Sequence, residues 1–232
     1  MQQLQLFLLP FAGGSSVSFK KLTTMIDLRI EPITIEYAGR MTRRGEPYIN
    51  NYEYFLQDVA TQIQKQKKGN IPYAVFGYSL GSVLTYDLLS QGMLGGIPVH
   101  AFVCAKGSLL NDNKDKSNSE YSEDDFIQEI AMLDGTDERI LMNKRFRSIY
   151  LKPVRADYAI WEQYVFKEGK IPCDATAIYS KKDPAAYGVQ DWSQIVEGVV
   201  DYYEMGSNHF FINQYWQRVA EIINKHLEKY LY

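Results

Sequence analysis

Tyr73-Ala74-Val75-Phe76-Gly77-Tyr78-Ser79-Leu80-Gly81-Ser82-Val83-Leu84-Thr85-Tyr86-Asp87-Leu88-Leu89 reads as an apolar strand, a tight turn and a helix. A serine at such a turn is driven into a strained backbone conformation that lifts its hydroxyl above a sheet, and glycines flank it because side chains there would collide. The helix that starts at the turn also aims free amides and positive dipole at the hydroxyl. Ser79 is therefore the candidate nucleophile of the chain.

Outward from this stretch, continuous apolar runs alternate with helical ones, the pattern of a mostly parallel sheet covered on both faces, an α/β architecture. Strands are expected around Leu4 to Leu9, Pro32 to Glu36, Tyr73 to Phe76, Val99 to Ala105, Ala175 to Ser180 and Val199 to Glu204. Helices are expected about Tyr52 to Lys67, Ser82 to Gln91 and Gln214 to Tyr230, the last carrying the stripe Val219, Ile222, Ile223, Leu227, Leu231. Between about residues 108 and 167 the alternation stops. The polar stretch Asn111 to Glu120 leads into Ser122-Glu123-Asp124-Asp125, an N-cap with an acidic first turn, and helical segments follow without a strand. We read this as a helical lid inserted over the carboxyl ends of the strands in a single domain spanning 1–232.

Composition narrows the function. With 46% hydrophobic and 23% charged residues and a net charge of −3, the chain has the make-up of a soluble globular domain, without the basic surface that nucleic acid or anionic lipid requires. The N-terminal apolar run is too short to span a membrane and has no basic leader, so a cytoplasmic location is expected. Cys104 and Cys173 lie in apolar contexts without metal-ligand spacing and read as core thiols, and no metal or cofactor is expected. Gly13-Gly14 lacks the spaced glycines of a dinucleotide fingerprint.

A serine hydroxyl needs a base, and imidazole has the right pKa. Of the three histidines, His226 falls in the terminal amphipathic helix, where a solvated face is expected. His100 opens a strand at the end of the sheet away from Ser79. His209 follows the last strand in Met205-Gly206-Ser207-Asn208, at the end that carries the turn, and is the candidate base. Asp183, after the strand Ala175 to Ser180, is the candidate carboxylate that orients it; Lys106-Gly107-Ser108 offers none after the preceding strand, and Asp112 is too far along. The order Ser79, Asp183, His209 is that of α/β-hydrolases. Oxyanion donors are expected at the amides of Leu80 and of Ala12, with Phe11 the alternative to Ala12 in Pro10-Phe11-Ala12-Gly13-Gly14-Ser15-Ser16.

Together these stretches resemble the type II thioesterases, free-standing editing hydrolases of nonribosomal peptide and polyketide synthases. The resemblance rests on Leu9-Pro10-Phe11-Ala12-Gly13-Gly14, Glu36-Tyr37-Ala38-Gly39-Arg40 with Gly45-Glu46-Pro47, Phe76-Gly77-Tyr78-Ser79-Leu80-Gly81, Leu133-Asp134-Gly135-Thr136, Pro153-Val154-Arg155-Ala156-Asp157-Tyr158, Asp183-Pro184 and Gly206-Ser207-Asn208-His209-Phe210-Phe211. The chain departs from the family at Ala38 (usually proline), Tyr78 (often histidine), Leu80 (often methionine) and Ser207-Asn208 (two glycines), positions expected not to touch the triad.

The resemblance implies hydrolysis of acyl thioesters held on the 4'-phosphopantetheine arm of carrier-protein domains, with Ser79 as nucleophile, His209 as base, Asp183 as its orienter, and Ala12 and Leu80 at the oxyanion. The arm belongs to the substrate, so no separate cofactor is implied. Phe126, Ile130, Phe146, Tyr150, Tyr158 and Trp161 are candidates for an acyl pocket under the lid. Arg40, Arg43 and Arg44 are candidates to meet the pantetheine phosphate or an acidic carrier helix. Rival readings are a chain-releasing thioesterase, acyltransferase or general esterase, and a synthase-binding protein without activity.

Overall fold

A computed structural model describes residues 3–107, 109–110, 121–132 and 143–231. Six strands form one sheet: β1 (Leu4–Leu9), β2 (Ile30–Thr34), β3 (Tyr73–Tyr78), β4 (His100–Cys104), β5 (Ala175–Tyr179) and β6 (Val200–Glu204). Their order is β2-β1-β3-β4-β5-β6, and every neighbouring pair is parallel. Helices α1 (Lys20–Thr23), α2 (Tyr52–Gln66), α3 (Leu80–Ser90) and α6 (Ile212–Leu227) flank the sheet, while α4 (Glu123–Met132) and α5 (Lys144–Gln163) lie in the chain between β4 and β5.

The near-continuous apolarity of the strands follows from burial on both faces. Alternate residues divide between two cores. Phe7, Leu9, Val75, Ala101 and Val103 pack with Phe55, Val59 and Ile63 of α2, whereas Leu6, Leu8, Phe76, Phe102 and Cys104 pack with Val219, Ile222, Ile223 and Leu227 of α6. A third, smaller cluster joins α4 to α5 through Phe126, Ile130, Leu151 and Val154. The cap read at Ser122 forms, its Oγ accepting from Asp125 N–H at 3.2 Å to open α4, and the structure adds a second at Asn51, whose side chain accepts from Tyr54 N–H at 3.0 Å to open α2.

Several boundaries differ from expectation. The second strand begins and ends two residues early, at Ile30–Thr34 rather than Pro32 to Glu36. Pro32 sits mid-strand opposite Leu6, which an edge strand tolerates because one side of its ladder needs no donor. The ladder ends where Ile35 N–H donates to Leu8 C=O at 3.0 Å, freeing Glu36 and Tyr37 for partners elsewhere. α3 begins at Leu80, immediately after Ser79, and α6 gives way at Glu228–Tyr230 to a 3-10 turn.

The strand order places a topological switch point between β1 and β3, where successive connections leave in opposite directions and open a crevice at the carboxyl ends. Phe11 and Ala12 follow β1, and Ser79 follows β3. No helix among the described residues is long and apolar enough to cross a membrane.

Candidate active site

Ser79 has φ 55° and ψ −113°, a conformation uncommon for a residue with a side chain and costly to hold. It is held because the turn has no room to relax. Ser79 N–H donates to Cys104 C=O at 2.8 Å, while Ser82 Oγ bridges the Gly77 and Cys104 carbonyls at 2.9 Å each. A Cβ on Gly77 would strike Gly81 C=O, and one on Gly81 would strike Leu9 C=O, so backbone contact dictates both glycines. Leu80 N–H is the first amide of α3, one of the four in a helix that lack an intrahelical acceptor.

Asp183 caps the short turn Pro184–Ala186. Its Oδ1 accepts from Ala185 N–H at 2.9 Å, leaving Oδ2 to accept from His209 Nδ1 at 2.7 Å. A carboxylate can only accept, so Nδ1 carries the proton and Nε2 presents its lone pair to Ser79 Oγ, 3.0 Å away. Asp183 and His209 are 3% and 5% exposed, which shields their hydrogen bonds from competition by water. The structure thus joins Ser79, His209 and Asp183 in one continuous chain of hydrogen bonds.

Tyr78 corrects an expectation. Although it stands at a departure from the family pattern, it does reach the triad: its hydroxyl donates to His209 C=O at 2.6 Å, and its ring meets the imidazole edge-on at 6.2 Å between centroids. Fully buried, it braces the loop that carries the base.

Ser79 and His209 open into a cavity also lined by Phe11, Ala12, Leu80 and Val83 from the sheet side and by Ile130, Val154, Tyr158 and Trp161 from α4 and α5. The two candidate oxyanion turns therefore face the same space as the nucleophile, and Ala12 N–H donates to no acceptor among the described residues. Of the proposed acyl-pocket residues, Ile130, Tyr150, Tyr158 and Trp161 line the cavity. Phe126 does not; it is buried between the Tyr158 ring and the Arg155 guanidinium. The Phe146 side chain, Asp112 and the phrase Leu133 to Thr136 lie outside the described residues.

Two of the three arginines singled out for a phosphate are engaged within the protein. Arg40 is 6% exposed and pairs with Asp157 of α5. Arg43 is held by Glu46 and Asp58, which raise its pKa further. Arg44 alone is exposed.

His226 is not on a solvated face: it stacks on His100 at 5.0 Å and bonds the Tyr203 hydroxyl at 3.1 Å. Sequence reading missed Lys106, Val154 and Asp157. Lys106 follows Ala105, whose φ of 52° turns the chain at the end of β4, and its Nζ lies over the Trp161 ring at 4.5 Å within the cavity. Only the strand-end position hinted at it.

This geometry suits nucleophilic attack on an acyl carbon: a hydroxyl hydrogen-bonded to an oriented base, amides nearby and an apolar chamber. Comparison with known proteins narrows the chemistry. The thioesterase domain family matches residues 4–227. The chain is 27% identical to the gramicidin S biosynthesis protein GrsT of Aneurinibacillus migulanus, over 97% of this chain and 89% of that protein. It is also 27% identical to the thioesterase PikA5 of Streptomyces venezuelae, over 97% and 81%. Among solved structures it superposes on ClbQ from the colibactin NRPS/PKS pathway with a TM-score of 0.91 at 23% identity, covering 99% of this chain and 98% of that one. The family match over nearly the whole chain, on the α/β-hydrolase fold, makes this protein a member of the thioesterase domain family and its enzyme class that of a thioester hydrolase.

Proposed function

We propose that this thioesterase is of the type II, editing kind, and removes aberrant or stalled acyl groups from the phosphopantetheine arm of carrier-protein domains. The observation that carries the reading is the Ser79–His209–Asp183 hydrogen-bond chain opening into an apolar cavity under α4 and α5, which act as the lid. Relatives named for gramicidin S biosynthesis and for anguibactin biosynthesis support a place in peptide assembly lines. The type II thioesterase BorB from the borrelidin biosynthetic cluster shares the fold.

In this reading His209 Nε2 takes the Ser79 proton as Oγ attacks the thioester carbonyl, and Asp183 steadies the resulting imidazolium. The amides of Ala12 and Leu80 receive the oxyanion. Collapse expels the carrier thiol. A thiolate with an ordinary pKa of about 8.5 leaves with little help, so His209 acts chiefly as base, first for Ser79 and then for the water that releases the free acid. The pantetheine arm comes with the substrate, and no metal or further cofactor enters the scheme. The reading places the enzyme in the cytoplasm, where free thiols such as Cys104 and Cys173 persist.

The test is to offer acetyl-, longer acyl- and aminoacyl-loaded carriers and follow the carrier mass. Editing requires rapid unloading of short stalled groups to free acids and slow unloading of a mature chain. A cyclised or transferred product, or preference for the mature chain, would replace this reading with chain release.

A further inference from the structure

Two sequence phrases, Glu36 to Arg40 and Pro153 to Tyr158, hold polar side chains without a part in this chemistry, and the structure brings them together around the turn after β1. Glu36 and Tyr37 of the first phrase grip that turn directly, and Arg40 reaches it through Asp157. Tyr37 Oη donates to Pro10 C=O at 2.8 Å, the Glu36 carboxylate accepts from Ser16 N–H at 3.2 Å and from its hydroxyl, and Arg40 pairs with Asp157. Asp157 then completes the grip from the other side: its Oδ2 accepts from Gly13 N–H at 2.7 Å.

Gly13 is the pivot. It is the third residue of a turn closed by Gly14 N–H to Phe11 C=O at 2.8 Å, and its φ of 79° is what a type II turn requires there. A Cβ on Gly13 would also strike Val154, so α5 rests directly on the turn. Gly13 N–H belongs to the peptide unit immediately after Ala12, the middle unit of the turn that Gly14 N–H closes on Phe11 C=O. Holding that unit within the closed turn restrains rotation at Ala12, on which the direction of the Ala12 amide depends.

The charges are matched to this task. Asp157 is 1% exposed, and a lone anion there would oppose negative charge developing on a nearby oxyanion. Arg40, buried beside it and lying over the Tyr37 ring at 5.2 Å, cancels that charge and donates a further bond to Pro153 C=O at 3.3 Å. The carboxylate thereby remains an acceptor for Gly13 without a net charge on the pair.

We infer that Asp157 is a positioning residue: carried on α5, it orients the oxyanion turn through Gly13 N–H, so that the Ala12 amide is set for catalysis when the helix is seated and not otherwise. The inference rests on the proposed role of Ala12 and adds to it that lid seating and oxyanion geometry are a single event.

The experiment measures hydrolysis of acetyl- and hexanoyl-N-acetylcysteamine and inhibition by a trifluoromethyl ketone, which forms a tetrahedral oxyanion on the nucleophile. Asp157→Ala is expected to lower kcat about a hundredfold, the usual penalty for misplacing a reacting group by an ångström, with KM changed less than about threefold. The ketone should weaken in parallel. Asp157→Asn, which keeps an acceptor for Gly13, should recover kcat to within about tenfold of wild type. If the alanine variant does not fold, replacing Gly13 by glycolic acid through nonsense suppression removes only the N–H and leaves the Arg40–Asp157 pair intact; kcat should fall as it does for Asp157→Ala. Wild-type kcat in the glycolic acid protein, or a folded Asp157→Ala with lowered Tm and unchanged kcat, would overturn the inference while leaving the hydrolase reading in place. Failure of wild type itself to turn over either thioester would instead strike the proposed function.

Discussion

The two ends of the sheet each hold a histidine whose Nε2 lies about 3 Å from a hydroxyl, yet they are built for opposite purposes. At the carboxyl end His209 faces Ser79 at 3.0 Å; at the amino end His100 faces Thr176 at 2.8 Å. The difference lies in what surrounds each pair. Ser79 stands on a strained turn above a cavity, whereas Thr176 points from within β5 and has no exposure. Nδ1 of His209 has the Asp183 carboxylate, while Nδ1 of His100 has no hydrogen-bond partner among the described residues, and that ring is packed against Phe102 and His226. A histidine and a hydroxyl in contact are thus not yet a nucleophile and base. Strand direction decides, because the carboxyl ends release the chain into loops that converge, whereas at the amino end of β4 His100 is packed against His226 of α6.

The strongest way to break this contrast is to delete each hydroxyl. Ser79→Ala should cost about a millionfold in kcat on an acyl thioester and abolish labelling by a fluorophosphonate, while Thr176→Val should leave both near wild type. Labelling that survives in Ser79→Ala would remove the asymmetry altogether.

Next in size is the carboxylate that only one end possesses. Asp183→Asn keeps the shape but invites the wrong tautomer of His209, and kcat should fall about ten-thousandfold with little change in KM. Steady-state kinetics of the folded variant checks this, and a loss below about tenfold would deprive Asp183 of its role.

The amino end should reveal itself in stability instead. Burial lowers the His100 pKa to about 3, so the native state refuses a proton that the unfolded chain accepts below its ordinary value of 6.5. Stability is therefore unaffected by this group above that value and lost as pH falls toward 3, by up to about 1.4 kcal/mol per pH unit. Urea denaturation at pH 7, 5.5 and 4.5 should show a shallower decline for His100→Gln than for wild type, with kcat at neutral pH little changed. Parallel declines would mean that other groups, such as His226 or Asp174, govern the acid limb.

The smallest expected effect concerns the proposed carrier, which under this reading would approach the carboxyl end. Arg44 is the one exposed member of the arginine group after β2. Arg44→Glu should reduce kcat/KM for an acyl-carrier about two- to threefold, through the association step, and spare an acyl-cysteamine. Equal effects on both substrates would rule out a carrier contact there.

Much of the site was legible before any coordinates because local backbone demands show in residue type. Gly77 and Gly81 announce a turn with no room for side chains, and the order of Ser79, Asp183 and His209 tracks successive strand ends. Packing was less legible. Tyr78 read as a mere departure from pattern, but it reaches across 131 residues of sequence to brace His209. Arg40 and Arg43 read as loop cations for a phosphate, because a charged residue carries no local mark of the carboxylate it will meet.

By itself, the sequence determined the alternation of strands and helices, the elbow at Ser79 and the three side chains that meet there in one hydrogen-bond chain, since apolar periodicity and glycine placement act over a few residues. Only the tertiary structure decided that Arg40 spends its charge on Asp157, that Asp157 holds Gly13, and that His226 packs on His100. Those pairings join residues far apart in the chain, and what selects them is the burial of charge and ring surface when the layers close.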